Sequence, residues 1–182
     1  MTLPSIDSLR SDCTKIHFFG LGFIQVKTNN PWLRYHFYHP SLECLADNPH
    51  NHRYFFTSEV LRGSLENIVW STYDPHFLAP TDAIVVNETL TDCSPAKIFT
   101  SDKSVLAKAV TSFQTHDGSS YFMPSDLFHQ VKRIGKAPCV TRLTLGPKFK
   151  VNASVLQVHP EQCPFSHQRN EEDLWALVAE CL

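Results

Sequence analysis

The chain has 182 residues, and 42% of them are hydrophobic, which is enough to form a core of ordinary size for one domain. Lys and Arg number 16 against 18 Asp and Glu, which gives a net charge of -2. A nearly neutral chain lacks the basic excess that binds phosphate backbones or anionic membranes, so we expect neither nucleic acid nor a membrane as a partner.

The N-terminal segment MTLPSIDSLRSDCTK has neither the basic start nor the apolar run of a secretory signal. No stretch of the sequence approaches the roughly 18 apolar residues that a membrane helix needs. The 6 cysteines include no C-x-x-C pair, which is typical of reduced thiols and not of a disulfide framework. We therefore expect a cytoplasmic protein.

Short runs of aromatic and β-branched residues, separated by clusters of Pro, Gly, Asn and Asp, predict an all-β domain with frequent turns. In chain order, we predict strands at 15–27 (interrupted by Gly20 and Gly22), 33–39, 50–62, 64–73, 83–87, 96–100, 120–123, 127–134, 138–145 and 148–158. Nothing repeats at a fixed long period, which argues against solenoids and propellers.

Two segments have a different pattern. The segment 102–113 is compatible with a helix or a strand, whereas 170–181 has a clear helical period. Asn170 is a suitable N-cap for the second segment, and the three acidic residues after it suit the first turn of a helix. We expect this C-terminal helix to pack on the outside of the β structure.

The first segment with chemical potential begins with His50 and His52, two residues apart at the start of an apolar strand. Residues at i and i+2 of a strand face the same way, so two imidazoles could meet one ion. The pair alone is a weak signal in a chain with 10 histidines, and a structural or solvated role is the alternative.

The second segment, GSSYFMPSDLFHQVKRI, contains His129. The spacing of Gly118, Pro124 and His129 resembles the second motif of the cupin family, whose histidine is a metal ligand. Asp126 stands where the family has Gly, and Arg133 stands where the motif closes with Asn.

The first segment resembles the first cupin motif, with its H-x-H pair, an apolar stretch and Gly63. The resemblance covers roughly residues 18–145. It implies a jelly-roll barrel, also called a double-stranded β-helix, with a metal ion held by His50, His52 and His129. With the chain length, this predicts one domain over 1–182, with a β core at about 15–158 and the helix at about 170–181.

Cupins commonly add a Glu to the three histidines, and the corresponding position here is Phe56, which cannot bind metal. Glu59 is the nearest carboxylate, but it has the wrong parity to join His50 and His52 unless a bulge turns the strand. We therefore favour a three-histidine site, with Glu59 as a ligand only in a bulged strand.

Loss of this Glu also occurs in the thiol dioxygenases. NHRYFFTSEVLRGSL and DLFHQV resemble parts of cysteine dioxygenase. The resemblance implies Fe(II), O2 and a small thiol or acid substrate, with Arg34 a candidate to hold the carboxylate. It is incomplete, because CVTRLTLGP lacks the His and Tyr of that family's Ser-His-Tyr relay. Tyr121, an even number of residues before His129, is a second candidate catalytic residue, with core packing as its alternative role.

Three neutral imidazoles would also bind Zn or Ni, and purified protein could carry either ion whatever the native metal. The alternatives to an oxygenase are a non-catalytic cupin that binds a metal or small molecule, and a metal-free sugar epimerase or isomerase. A homodimer is a further expectation, since cupins often pair through exposed strands.

Overall fold

The computed structural model describes residues 2–45, 47–76, 80–91, 98–158 and 169–182. Within these ranges the chain forms two helices, α1 (Ile6–Asp12) and α2 (Glu171–Cys181). The strands are β1 (Cys13–Phe19), β2 (Phe23–Thr28), β3 (Leu33–Tyr38), β4 (Tyr54–Arg62), β5 (Ser64–Tyr73), β6 (Ile84–Thr91), β7 (Ile98–His116), β8 (Ser120–Met123), β9 (Phe128–Arg133), β10 (Cys139–Lys148) and β11 (Ala153–Gln157).

Two antiparallel sheets face each other. The first has the order β1-β2-β3-β10-β4-β8, and the second has the order β11-β6-β7-β5-β9. The second sheet is nearly closed, because His50 forms isolated bridges to His129 on β9 and to Val155 on β11. The fold is the predicted all-β double-stranded β-helix with a C-terminal helix.

The turn between β4 and β5 shows why the first motif ends in glycine. Gly63 has a φ of +81°, a left-handed conformation that residues with a Cβ rarely adopt. A Cβ there would also collide with the carbonyl oxygen of Pro138 at the start of β10. Only glycine fits this close approach.

Both helices cover the outer face of the first sheet. We call the apolar cluster between them the outer layer; its buried residues are Leu9, Phe18, Ile24, Val26, Phe37, Leu42, Leu61, Val140, Leu174, Trp175, Val178 and Cys181. Asn170 caps α2 as predicted, since its side chain accepts a hydrogen bond from the Glu172 backbone N–H at 2.9 Å. Neither helix of the described ranges is long and apolar enough to cross a membrane.

Several boundaries differ from the prediction. The segment 102–113 is a strand, part of the long β7. The regular part of β4 begins only at Tyr54, so His50 and His52 lie in the segment that leads into it. The helix α1 was not predicted, and the predicted strand at 96–100 lies partly outside the described residues. The interpretation of 1–182 as one domain stays a prediction.

Candidate metal centre

His50 and His129 lie directly opposite each other on neighbouring chain segments. The His50 backbone N–H donates to the His129 carbonyl oxygen at 3.0 Å, and the His129 N–H donates to the His50 carbonyl oxygen at 2.9 Å. Residues paired in this way point their side chains to the same face of the sheet. Backbone pairing therefore brings together two imidazoles that are 79 positions apart in the sequence.

His52 completes the cluster, which we call the histidine site. Its ring centroid lies 5.1 Å from those of His50 and His129, and the His50 and His129 centroids are 5.0 Å apart. One ring nitrogen from each residue lies within 4.8 Å of the other two. The structure therefore brings together all three histidines that the sequence singled out.

The segment 47–52 is held in place by several polar contacts. Asn51 accepts a hydrogen bond on Oδ1 from the Ser154 N–H at 2.7 Å, and Asn48 accepts one from the Val158 N–H at 3.0 Å. On the other side, Gln130 donates to the carbonyl oxygen of Asp47. The segment lies between β9 and β11 and is not a regular strand, and these contacts fix its position. Its histidines are therefore oriented before any ligand binds.

Hydrogen bonds set which nitrogen of two rings carries the proton. His50 Nδ1 donates to the backbone carbonyl of Asn48 at 3.3 Å, and His129 Nδ1 donates to Asn67 Oδ1 at 3.2 Å. Because Nδ1 is protonated in both rings, each Nε2 keeps its lone pair. These are the atoms that a metal ion would need.

The His52 and His129 Nε2 atoms are only 2.9 Å apart. With the His129 proton on Nδ1, either a proton on His52 or a shared cation must lie between the two nitrogens. Two nitrogens at about 2.1 Å from one ion, in adjacent octahedral positions, would be about 3 Å apart. The three imidazole donors and the spacing of this pair therefore fit a divalent transition metal.

Burial keeps these imidazoles neutral. It lowers the pKa of His50 and holds the pKa of His52 and of His129 well below the usual range. The neighbouring histidines lower the pKa of His52 further, whereas the Asn48 carbonyl and Asp47 partly offset the effect on His50. Neutral imidazole is the form that binds metal, so no proton has to leave at neutral pH.

Phe56 occupies the position where the cupin pattern would place a Glu. Its ring lies edge-on to His52, with the centroids 4.9 Å apart. Glu59 instead pairs with Arg142 on β10, whose Nε donates to Glu59 Oε2 at 2.7 Å. β4 and β10 have two register shifts. The one with its extra residue on β4 lies between Val60 and Arg62, beyond Glu59, and the one opposite Tyr54 and Phe56 has its extra residue on β10. Neither turns the Glu59 carboxylate toward the histidines.

Arg34 reaches toward the histidine site through Tyr54. Its Nη1 donates to the Tyr54 hydroxyl at 2.8 Å, and the Tyr54 ring centroid lies 5.9 Å from that of His52. No ion pair among the described residues involves Arg34. Its positive charge contributes to the lowered pKa of His52 and of His36.

Phe56 lies between Tyr121 and the histidine site. The Tyr121 ring is 6.3 Å from that of Phe56 and 5.7 Å from that of Phe113, edge-on to both. Burial raises the pKa of its hydroxyl, and the side chains of Ser58 and Asn67 oppose this rise. The structure thus places Tyr121 next to Asn67, and a catalytic role for it stays a prediction.

Sequence reasoning missed Asn67 as a site residue. It lies on β5 between two buried apolar residues that face the same way, Leu65 and Val69. A polar residue at an inward position of a strand was the available signal. His36 on β3 is buried and has partners of its own: its Nε2 is 2.9 Å from Gln25 Nε2, and its ring stacks on Phe23 with the centroids 4.2 Å apart.

Neither a protein-family model nor a curated protein matches this chain. Among solved structures, the Drosophila melanogaster CENP-C cupin domain is similar with a TM-score of 0.39 and 8% identity, over 69% of this chain and 70% of that one. An oxalate oxidase has a TM-score of 0.32 and 17% identity, over 69% and 42%. L-ribose isomerase of Cellulomonas parahominis has a TM-score of 0.34 and 16% identity, over 81% and 55%. Every one of these scores is below 0.5, and nothing about this chain's chemistry follows from them.

Proposed function

We propose that this chain binds one divalent transition-metal ion on His50, His52 and His129 and uses it to oxidise a small thiol or acid with O2. The observation that carries the proposal is the convergence of three ring nitrogens within 4.8 Å of one another. Hydrogen bonds from Nδ1 of two of the rings leave Nε2 available, and burial keeps all three rings neutral.

The three-histidine set supports a catalytic role over a purely structural one. Structural sites usually surround their ion with four protein ligands, whereas catalytic sites leave positions for water or substrate. The group contains no carboxylate among the described residues, because Phe56 takes the usual place and Glu59 pairs with Arg142. Positions on a bound ion would therefore remain open.

The charges around the site favour an anionic substrate. Neutral imidazoles leave a bound ion its full positive charge, which attracts thiolate or carboxylate oxygen. Arg34 adds a second positive charge, and it donates a hydrogen bond to Tyr54, whose ring lies 5.9 Å from that of His52. We infer that Arg34 holds the substrate carboxylate while the ion takes the reacting group.

Fe(II) is the ion we favour, since it would activate O2 by reversible electron transfer, while the thiol or acid substrate would supply the electrons that reduce O2. Ligand type alone does not choose the metal, and Zn or Ni binds imidazole at least as tightly as Fe(II). Protein purified in air is therefore expected to carry a mixture of ions. Anaerobic loading with Fe(II) is needed before activity is measured.

The metal site is tested by elemental analysis of the purified protein. We expect close to one transition-metal ion per chain, and a loss of at least ~100-fold in affinity for Zn²⁺ in His129→Ala. His116→Ala is the matched control, because His116 is exposed and bonds to Ser64 on β5. Equal metal content in the wild-type protein and in His129→Ala would refute the site.

The reaction is tested with an oxygen electrode and a panel of small thiols and acids, with and without a carboxylate. We expect O2 uptake that depends on Fe(II), that requires His129 and that falls mainly through a higher KM in Arg34→Gln. If the loaded protein binds Fe(II) but consumes no O2 with any member of the panel, the chain is a metal-binding module and not an oxygenase.

A further inference from the structure

Asn67 is a polar residue in the interior of the barrel. It is fully buried, and it faces inward from β5 between Leu65 and Val69. Its direct neighbours across the sheet are Val131 on β9 and Phe113 on β7. A carboxamide among these apolar side chains is a position where burial alone would favour Leu.

Burying an amide costs free energy that its hydrogen bonds only partly return. Replacing such a group by an apolar one of similar shape is often neutral or stabilising. The fold therefore gains little from Asn67. The role of Asn67 therefore has to come from the group that its side-chain oxygen contacts.

That contact is His129. Val69, two residues along β5, is the direct neighbour of His129 on β9, so Asn67 is diagonal to the histidine. Its Oδ1 is 3.2 Å from His129 Nδ1. An amide oxygen can only accept, so it retains the proton on Nδ1 and leaves the Nε2 lone pair facing His52.

We propose that Asn67 is a positioning residue that selects the metal-binding tautomer of His129 and fixes its ring. The proposal rests on the metal site proposed above and names a residue that acts on it through His129. The opposite orientation of the carboxamide would donate to Nδ1 and place the proton on Nε2, where it would block the ion.

His50 shows why Asn67 is the informative residue. The proton on His50 Nδ1 is fixed by the backbone carbonyl of Asn48, which no substitution removes. His129 is fixed by a side chain. Changing Asn67 therefore tests the tautomer of His129 and leaves the corresponding hydrogen bond of His50 in place.

The other end of the Asn67 carboxamide makes no such contact. Its Nδ2 is buried and has no hydrogen-bond partner among the described residues. The hydrogen bond to His129 is therefore the contact through which this side chain acts.

The test uses the full chain and Co²⁺, whose visible spectrum reports on its ligands. Asn67→Leu removes the acceptor and keeps the number and branching of the side-chain heavy atoms, and Asn67→Asp keeps an acceptor at the same place. Thr115→Val is the matched control: it removes a buried hydroxyl from β7 that has no hydrogen-bond partner among the described residues. Unfolding of the metal-free proteins is measured in parallel.

We expect Asn67→Leu to raise the Kd for Co²⁺ by about 10- to 100-fold and to change the visible bands. Asn67→Asp should bind within about threefold of the wild-type protein or more tightly, since a carboxylate is a stronger acceptor. Thr115→Val should bind like the wild-type protein.

Wild-type affinity in Asn67→Leu would overturn the proposal, because a packing role alone changes the stability of the metal-free protein and not the Kd. If Asn67→Leu does not fold, Asn67→Asp decides, and a loss of tenfold or more in that variant would also overturn it. A wild-type protein that binds no Co²⁺ would instead reject the metal site itself, and the inference with it.

Discussion

The outer layer and the histidine site are both largely shielded from water, but they are built from opposite kinds of side chain. The outer layer packs α2 against the first sheet with apolar side chains, Trp175 and Val178 among them. The histidine site brings together three imidazoles, with one ring nitrogen of each within 4.8 Å of the other two. The outer layer is complete without a ligand, whereas the histidine site has the donor atoms that could hold a metal ion.

This difference separates the source of stability from the source of function. Full burial of a large apolar side chain stabilises a fold by about 1.5–3 kcal/mol. Buried imidazole nitrogens without a hydrogen-bond or metal partner cost free energy on folding. We therefore expect substitutions in the outer layer to change stability and substitutions in the histidine site to change metal binding.

The largest effect is expected from Trp175→Ala in the outer layer. Trp175 is 3% exposed and packs with Leu174 and Val178 of the same cluster. Its truncation should lower the free energy of unfolding by about 3–5 kcal/mol. Trp32→Ala, at a position that is 52% exposed, should cost less than about 1 kcal/mol. Denaturant titration of the metal-free protein measures both changes. Equal losses in the free energy of unfolding would contradict the role of the outer layer as the source of stability.

Metal binding should add stability that depends on the histidine site alone. With Zn²⁺ at 100 times its Kd, the free energy of unfolding should rise by about 2.7 kcal/mol, because the ion binds the folded state. Trp175→Ala should gain the same increment from a lower starting value. His129→Ala should gain almost none. Thermal unfolding with and without Zn²⁺ tests this. If the stability gained from Zn²⁺ were smaller in Trp175→Ala than in the wild-type protein, the outer layer and the histidine site would not be independent.

A smaller effect is expected from pH at His17 on β1. Burial, with Lys27 and Lys15 nearby, lowers its pKa from 6.5 to about 4. Between these values the unfolded chain binds more protons, so the stability from this residue is present above pH 6.5 and is lost as pH falls toward 4. His17→Gln should make the pH dependence shallower by up to about one proton in this window. An unchanged slope in denaturant titrations would show that His17 does not contribute.

Local patterns predicted those parts of the fold that depend on neighbouring residues. The predicted bounds of β5 and β8 agree with the structure, since turn residues flank an alternating pattern in each. α1 was missed because it is short and Leu9 is its only buried residue, which gives no helical period to detect. The segment 102–113 was ambiguous because a bulge opposite Val69 and Trp70 interrupts its alternation.

The histidine site could also be predicted only in part from the sequence. The spacing of His50 and His52 and the motif around His129 identified the three rings from the sequence. The direct pairing of His50 with His129 depends on contacts between distant segments, and so does the role of Asn67. No local pattern contains these contacts, because they form only when β9 pairs with the segment around His50 on one side and with β5 on the other.

His50 has two tasks that cannot be separated. Its backbone lies between β9 and β11 and bridges to both, which joins the ends of the second sheet. Its ring faces the other two histidines. Any separation of these strands would move the His50 ring away from His52 and His129, so a metal ion bound as we propose would be lost in the same event that opens the second sheet.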